Sequence, residues 1–260
     1  MAAQAFFRYD GEYYHPTAAS TGPWRPNSLL GRAVTGVLGH EINRLHGAPG
    51  FIPARLTVEL HSLPDLSPIS IETRVARDGG RIKLIEAQLI SNDKPMASAT
   101  CQLLKHTQPP EGTVWKPQDW NVPAPETLEV PEKYRRWIWD MRLIEGDAGR
   151  VGPKKIWMRE FRELVEGVPI TPFDRIALAM DYISPISHSG DKGARYINTD
   201  ATLYLHRLPE QDWIGVDVWD HQATDGIAVG HCRLYDQLGP IGFGSAAALA
   251  QRPAPRTGKE

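Results

Sequence analysis

The stretch ALAMDYIS sets one carboxylate, Asp181, in an otherwise apolar run from Ile176 to Ile183. Few neighbours there could solvate its charge. On a helix, Asp181 stands near the C-terminus, where the dipole disfavours an anion by about 0.3–1 kcal/mol. Both effects raise a carboxylate pKa, which suits a general base acting on water. The plainer reading has Asp181 facing solvent, or capping the loop after the break at Pro185. Further on, YINTD offers an amide, Asn198, and a hydroxyl, Thr199, at the start of a predicted strand. Alternation puts Thr199 on the face of Leu203 and Leu205, with Asn198 and Asp200 on the other. Only a bulge at the strand start would turn Asn198 inward. The plain reading of NTD is a turn into the strand.

The remaining candidates carry weaker signals. His61 and His206 stand at equivalent places in two similar motifs, which reads as structure repeated once per half. His221 and His231 lack the spacing and partners of a zinc site, and no metal is expected. His188, in SPISHSGDKG, follows the predicted helix and is the histidine nearest the candidate base. Gly242-Phe243-Gly244-Ser245 is neither a phosphate loop nor a nucleophile elbow, because the lysine and the Gly-x-Ser-x-Gly pattern are missing. Its small residues read as a place where two elements pack closely. Trp137, Trp139 and Trp157 come without a basic patch and read as edge packing.

The elements that position these residues come in two copies. LHSLPDLSPI at Leu60 returns as LHRLPEQDWI at Leu205, and the offset of 145 persists without a gap. Ile69 maps to Ile214, Ile82 to Ile227, Leu89 to Leu234, Pro95 to Pro240 and Leu104 to Leu249. A period this long is a domain, not a solenoid unit. Each copy begins with strand signals, Asp10-Gly11 marking a hairpin in the first. One helix follows. In copy one, Asn27 is the expected cap and Gly47 the stop. In copy two, Thr171 caps, Pro172 takes the first position, Asp174 completes a capping box, and the helix is expected to end near Ser184. Alternating strands then run through RLTVELHSL, ISIETRVA, ATLYLHRL and IGVDVWD. The expected layout is a first domain over 1–106, a Pro-rich linker over 107–134 running along the surface between the halves, a second domain over 135–251 and a disordered tail over 252–260.

Composition limits the function classes. A 41% hydrophobic content leaves ample core, and a net charge of −2 gives no global pull toward nucleic acid or an anionic membrane. No apolar run is long enough to span a bilayer. The N-terminal segment lacks the pattern of a signal peptide. Two cysteines, Cys101 and Cys232, form neither a disulfide framework nor a metal spacing. A reduced, cytoplasmic setting is expected.

With these elements in place, the chain resembles the double hot-dog acyl-CoA thioesterases of the acyl-CoA thioesterase II type. The residues that carry the likeness are GPWRP at Gly22, RLTVELHSLPDLSPISIETRVARDGGR at Arg55, YINTDATLYLHRLPEQDWIGVDV at Tyr196 and CRLYDQLGPIG at Cys232. The resemblance implies an α+β fold: a tandem double hot-dog, each half a long helix wrapped by an antiparallel sheet, the two sheets edge to edge. It implies an acyl-CoA or acyl-carrier thioester as substrate, bound where the halves meet, and hydrolysis by oriented water without nucleophile, metal or cofactor. It places the carboxylate on Asp181 and the strand amide or hydroxyl on Asn198, with Thr199 beside it.

Two positions depart from the family pattern. A glutamine of the last strand falls on Ala246, and a His-Gly-Gly before the first helix falls on Leu30, Gly31 and Arg32. Leu30, Gly31, His188 and Ala246 are therefore expected to line the substrate site. Replacing Ala246 with Gln is expected to raise turnover, provided the small residues around it leave room. No nucleic-acid or membrane partner is implied, and a homo-oligomer of double hot-dog protomers is compatible with the fold. The alternative function is a diverged hot-dog protein that dehydrates or cyclises an acyl or polyketide-like substrate, or binds acyl thioesters without catalysis.

Overall fold

The offset of 145 residues is written into the strand ends. A computed structural model describes residues 4–116, 120–131, 139–147 and 149–251. The tail over 252–260, the linker residues 117–119 and 132–134, and residues 135–138 with Trp137 lie outside the described residues. The first half comprises β1 (Phe7–Tyr9), β2 (Tyr14–Pro16), α1 (Gly31–His46), β3 (Phe51–Leu60), β4 (Ile69–Asp78), β5 (Ile82–Ser91) and β6 (Lys94–Lys105). After the linker come β7 (Asp140–Glu145), β8 (Lys155–Arg159), α2 (Pro172–Met180), α3 (Ile183–His188), β9 (Ser189–Gly190) and β10 (Gly193–Ala194). The chain closes with β11 (Tyr196–Asn198), β12 (Asp200–Leu205), β13 (Ile214–Thr224), β14 (Ile227–Asp236) and β15 (Gly239–Ala250). Adding 145 to the ends of β5, 82 and 91, gives 227 and 236, the ends of β14; β6 maps onto β15 in the same way.

All but β9 and β10 join one 13-stranded sheet in the order β1-β2-β4-β5-β6-β3-β12-β15-β14-β13-β8-β7, with β11 also on β15. Its ladders are antiparallel, as the hairpin-rich turn signals require. The halves meet at β3 and β12. Thr57 lies opposite Thr202 there, and their hydroxyls are 3.1 Å apart. These two residues are equivalents under the repeat, so an approximate twofold axis passes between them. The β3 and β12 edges that lone halves would expose are thereby covered, each by the other half.

The helices cross near the same axis. Gly36 and Gly39 allow a close approach: a Cβ at Gly36 would lie 2.7 Å from Leu178 Cδ2, and one at Gly39 2.8 Å from Ala177 Cβ. His40 Nδ1 reaches Asp174 Oδ1 across the crossing at 3.1 Å. The inner face of the sheet contributes Leu56, Val58, Ile85, Leu203, Val216 and Leu234 to a core shared by both helices.

Local signals hold with two corrections. The β1–β2 hairpin turns at Asp10-Gly11, where Gly11 takes φ +106° and the Asp10 carboxylate accepts the Glu12 and Tyr13 N–H groups. Gly47 stops α1 as expected, and Thr171 and Asp174 form the reciprocal capping box. The first correction is at Asn27, which does not cap α1: it sits in a left-handed turn at φ 56°, and the helix starts at Gly31. The second correction is that only the first half carries one long helix. The run expected over 171–184 ends at Met180 and restarts as α3. Pro185 is the third residue of α3, and its missing N–H falls among the initial groups that lack a helical partner anyway. The described part of the linker around Trp120 and Pro123 packs on the second half, on the sheet face turned away from the helices. Trp120 stacks on Tyr235 at 4.1 Å, and Trp157 Nε1 donates to the Pro123 carbonyl.

Candidate active site

The break between α2 and α3 leaves Asp181 as the C-cap of α2. The antiparallel crossing brings the first turn of α1 to the same point. A Cβ on Gly31 would sit 2.8 Å from the carboxyl carbon of Asp181, so only glycine permits this approach. The Arg32 backbone N–H donates to the carboxylate, and so does Asn198 Nδ2, at 2.9 Å to Oδ1. Leu30, half-buried, caps α1 with its backbone alone; its carbonyl accepts the Ala33 and Val34 N–H groups.

Asn198 points inward because the strand bulges. Asn198 pairs with Ala248 and Thr202 with Ser245, so four steps on one strand match three on the other. The extra residue turns Asn198 to the face of Ala248, which is 1% exposed. Thr199 lies within the irregularity and faces out; its hydroxyl donates to Asp200 and to the Ala247 carbonyl.

Burial holds the Asp181 carboxyl above the usual carboxylate range, against the opposing pull of Asn198, the Arg32 charge and the Arg32 N–H. The unfavourable end of α2 is met by the favourable N-terminal end of α1, a compensation that inspection of one helix alone cannot reveal.

His188 and Ala246 belong to a second cluster. His188 ends α3 at 6% exposure, and its Nδ1 lies 2.9 Å from Nδ1 of His221. Burial first, then the neighbouring His221, pull the His188 pKa down to about 4. Ala246 is 2% exposed and pairs with Gly230, where a Cβ would lie 2.8 Å from His188 Cε1. The small residues of β15 are thus the floor on which α3 rests. Among the described residues no hydrogen bond or ion pair joins Ala246 or His188 to Asp181 or Asn198. His61 and His206 each bond to a neighbouring strand, through Ser98 Oγ and the Pro240 carbonyl. No three His, Cys, Asp or Glu side chains converge as metal ligands among the described residues.

The pseudo-twofold predicts a second site, but its residues are different. The equivalents of Gly31, Asp181 and Asn198 at the offset of 145 are Ile176, Gly36 and Pro53, none of which can hold a water by its side chain. Sequence reasoning also missed a neighbour of the first site. Arg32 and Glu160 form an ion pair of 2.7 Å with both side chains 2% exposed. Its only sequence signal is an arginine in the first turn of an apolar helix.

Comparison with known proteins identifies the family and the fold. Residues 20–104 match the acyl-CoA thioesterase N-terminal domain and residues 108–245 the acyl-CoA thioesterase C-terminal domain. No curated protein sequence matches. A putative thioesterase from Novosphingobium aromaticivorans is similar over 96% of this chain and 100% of its own, at 18% identity and TM-score 0.72. The tesB protein of Mycobacterium avium subs paratuberculosis covers 95% and 96% at 17% identity and TM-score 0.71. An acyl-CoA thioesterase II, TesB2, from Mycobacterium marinum covers 91% and 97% at 17% and 0.65. These likenesses establish the double hot-dog fold, and the domain matches, spread over both halves, place the chain in the acyl-CoA thioesterase family.

Proposed function

We propose that the protein hydrolyses acyl-CoA or acyl-carrier thioesters at Asp181. The carboxylate takes a proton from a water molecule, and the water oxygen attacks the thioester carbonyl. The oxyanion collapses, the carbon–sulfur bond breaks, and the thiolate leaves with the proton returned from Asp181. Asn198 fixes the carboxylate, and the N-terminus of α1 supplies the positive end nearest the developing oxyanion. The observation that carries this reading is the Asn198–Asp181 bond of 2.9 Å beside Gly31, with a carboxyl pKa raised by burial.

A second reading is favoured by Ala246, buried beneath α3 where the family resemblance implies a glutamine. On that reading the protein binds acyl thioesters, or performs dehydration or cyclisation on them, without hydrolysis. A panel of acyl-CoAs assayed for free thiol, with thermal shift read in parallel, separates the two. Thiol release above the uncatalysed rate is expected. A shift without release would favour the second reading.

A further inference from the structure

The Arg32–Glu160 pair is incomplete. Only Nη1 of Arg32 is engaged, at 2.7 Å from Glu160 Oε2. Nε and Nη2 have no hydrogen-bond partner and no contact with solvent. Those two nitrogens form the side-on fork of a guanidinium, the edge whose parallel N–H groups match the two oxygens of a carboxylate. The fork is held in place. The Phe6 and Trp139 rings lie 5.0 and 4.1 Å from the guanidinium carbon, so its plane is set before anything binds.

A second arginine lies beside it, its free nitrogens on different edges of the guanidinium rather than on one fork. Arg162 reaches the same Phe6 ring at 5.8 Å, and its Nε and Nη1 are also unpartnered and shielded. Glu160 is the nearby carboxylate, and its Oε1 is occupied by the Phe161 and Arg162 backbone N–H groups. Buried Arg32 and half-buried Arg162 thus share Glu160, with four donor nitrogens unanswered, while Asp181 acts on the Arg32 guanidinium through its charge alone. Burial, with the Arg162 charge adding to it, outweighs the pull of Glu160 and Asp181 and draws the Arg32 pKa down to about 10. Water would satisfy the donors singly but would not supply the paired oxygens that the Arg32 fork matches.

The location ties this cluster to the reaction site. Arg32 follows Gly31, its backbone N–H is bonded to Asp181, and Tyr182 adjoins Trp139 at a ring separation of 5.2 Å. Asp181 is already held by Asn198 and that N–H, and makes no hydrogen bond to the guanidinium fork.

We propose that Arg32 and Arg162 form a carboxylate subsite, so that the preferred substrate is a thioester whose acyl group ends in a carboxylate. This rests on the thioesterase reading, with the carbonyl at Asp181 and the far end of a short acyl chain at the fork. The subsite selects the substrate by charge and bidentate geometry rather than by chain burial.

The test separates binding from hydrolysis. Calorimetry on the full chain compares 4-carboxybutyl-CoA with pentyl-CoA, two thioethers that cannot be hydrolysed. The carboxylate ligand is expected to bind about 10-fold or more tightly. Arg162→Gln, which leaves the Arg32–Glu160 pair intact, is expected to remove that difference. Equal or weaker binding of 4-carboxybutyl-CoA by the wild type overturns the proposal, whether or not the variant folds. In the second arm, kcat/KM is compared for glutaryl-CoA and pentanoyl-CoA. Preferential thioether binding with no thiol release from either ester sinks the hydrolase reading and spares the subsite. Brisk release from pentanoyl-CoA with no preference for glutaryl-CoA sinks the subsite alone.

Discussion

Gly31 and Asp181 are coupled by contact. A methyl group at residue 31 would overlap the Asp181 carboxylate, so Gly31→Ala must push the carboxylate away or tilt α1. Misplacement of a reacting group by about 1 Å can cost 10²-fold in rate. Gly31→Ala is therefore expected to lose about 10²-fold in kcat in the thiol-release assay; an unchanged kcat would detach Asp181 from catalysis. Asp181→Asn tests the raised pKa through stability. The folded protein holds this proton more tightly than the unfolded chain, so the group's stabilising contribution is full below the unfolded pKa of about 3.9 and is lost as pH rises through the higher folded value. The isosteric amide escapes that loss. Asp181→Asn should raise Tm at pH 7, and the gain should shrink to nothing near pH 3.5. A Tm gain that persists in acid would assign it to another cause. Asp181 was legible in sequence because a lone carboxylate in an apolar run is uncommon. The Arg32 fork was not, because its meaning lies in Glu160, Phe6 and Trp139, which sequence does not bring together.

At the scale of elements, the interrupted helix accounts for several placements at once. Asp181 becomes a cap because α2 ends at Met180, and α3 descends onto Gly244 and Ala246 because those residues are small. Ala246→Gln, expected from the family pattern to restore a polar group, therefore meets α3 instead. Overpacking of this kind costs about 1–3 kcal/mol. The variant should unfold at lower urea concentration than the wild type and gain no turnover; a faster, equally stable variant would show that α3 yields. Thr171→Ala removes half of a reciprocal capping box and should cost about 1 kcal/mol, read as a shift in the urea midpoint. The capping box and Gly47 were readable from local chemistry. The break before α3 was not, since Pro185 is tolerated in a first turn as readily as after a last one. The bulge at Thr199 was likewise invisible to alternation, although it alone decides that Asn198 points inward.

For the whole molecule, the repeat was the strongest signal in the sequence, because one offset relates strand ends, turns and core positions together. It could not show that the halves share a sheet. The Thr57–Thr202 seam and the Gly36 and Gly39 crossing make each half part of the other's core. Urea unfolding should then be a single transition, with tryptophan fluorescence and far-UV circular dichroism giving coincident midpoints. Two separated midpoints would show that the halves fold as independent units. The same twofold leaves one polar site per chain, since Gly36, Ile176 and Pro53 fill the equivalent places.

The central claim is that Asp181 and Asn198 act as one unit on water. The direct measurement is a double-mutant cycle on kcat for thiol release, with Asp181→Asn, Asn198→Ala and the double variant. The single change at Asp181 should cost about 10²–10⁴-fold. With that carboxylate gone, Asn198→Ala should cost little more, so the double variant should match Asp181→Asn. Independent, multiplying losses, or full activity in Asp181→Asn, would contradict it.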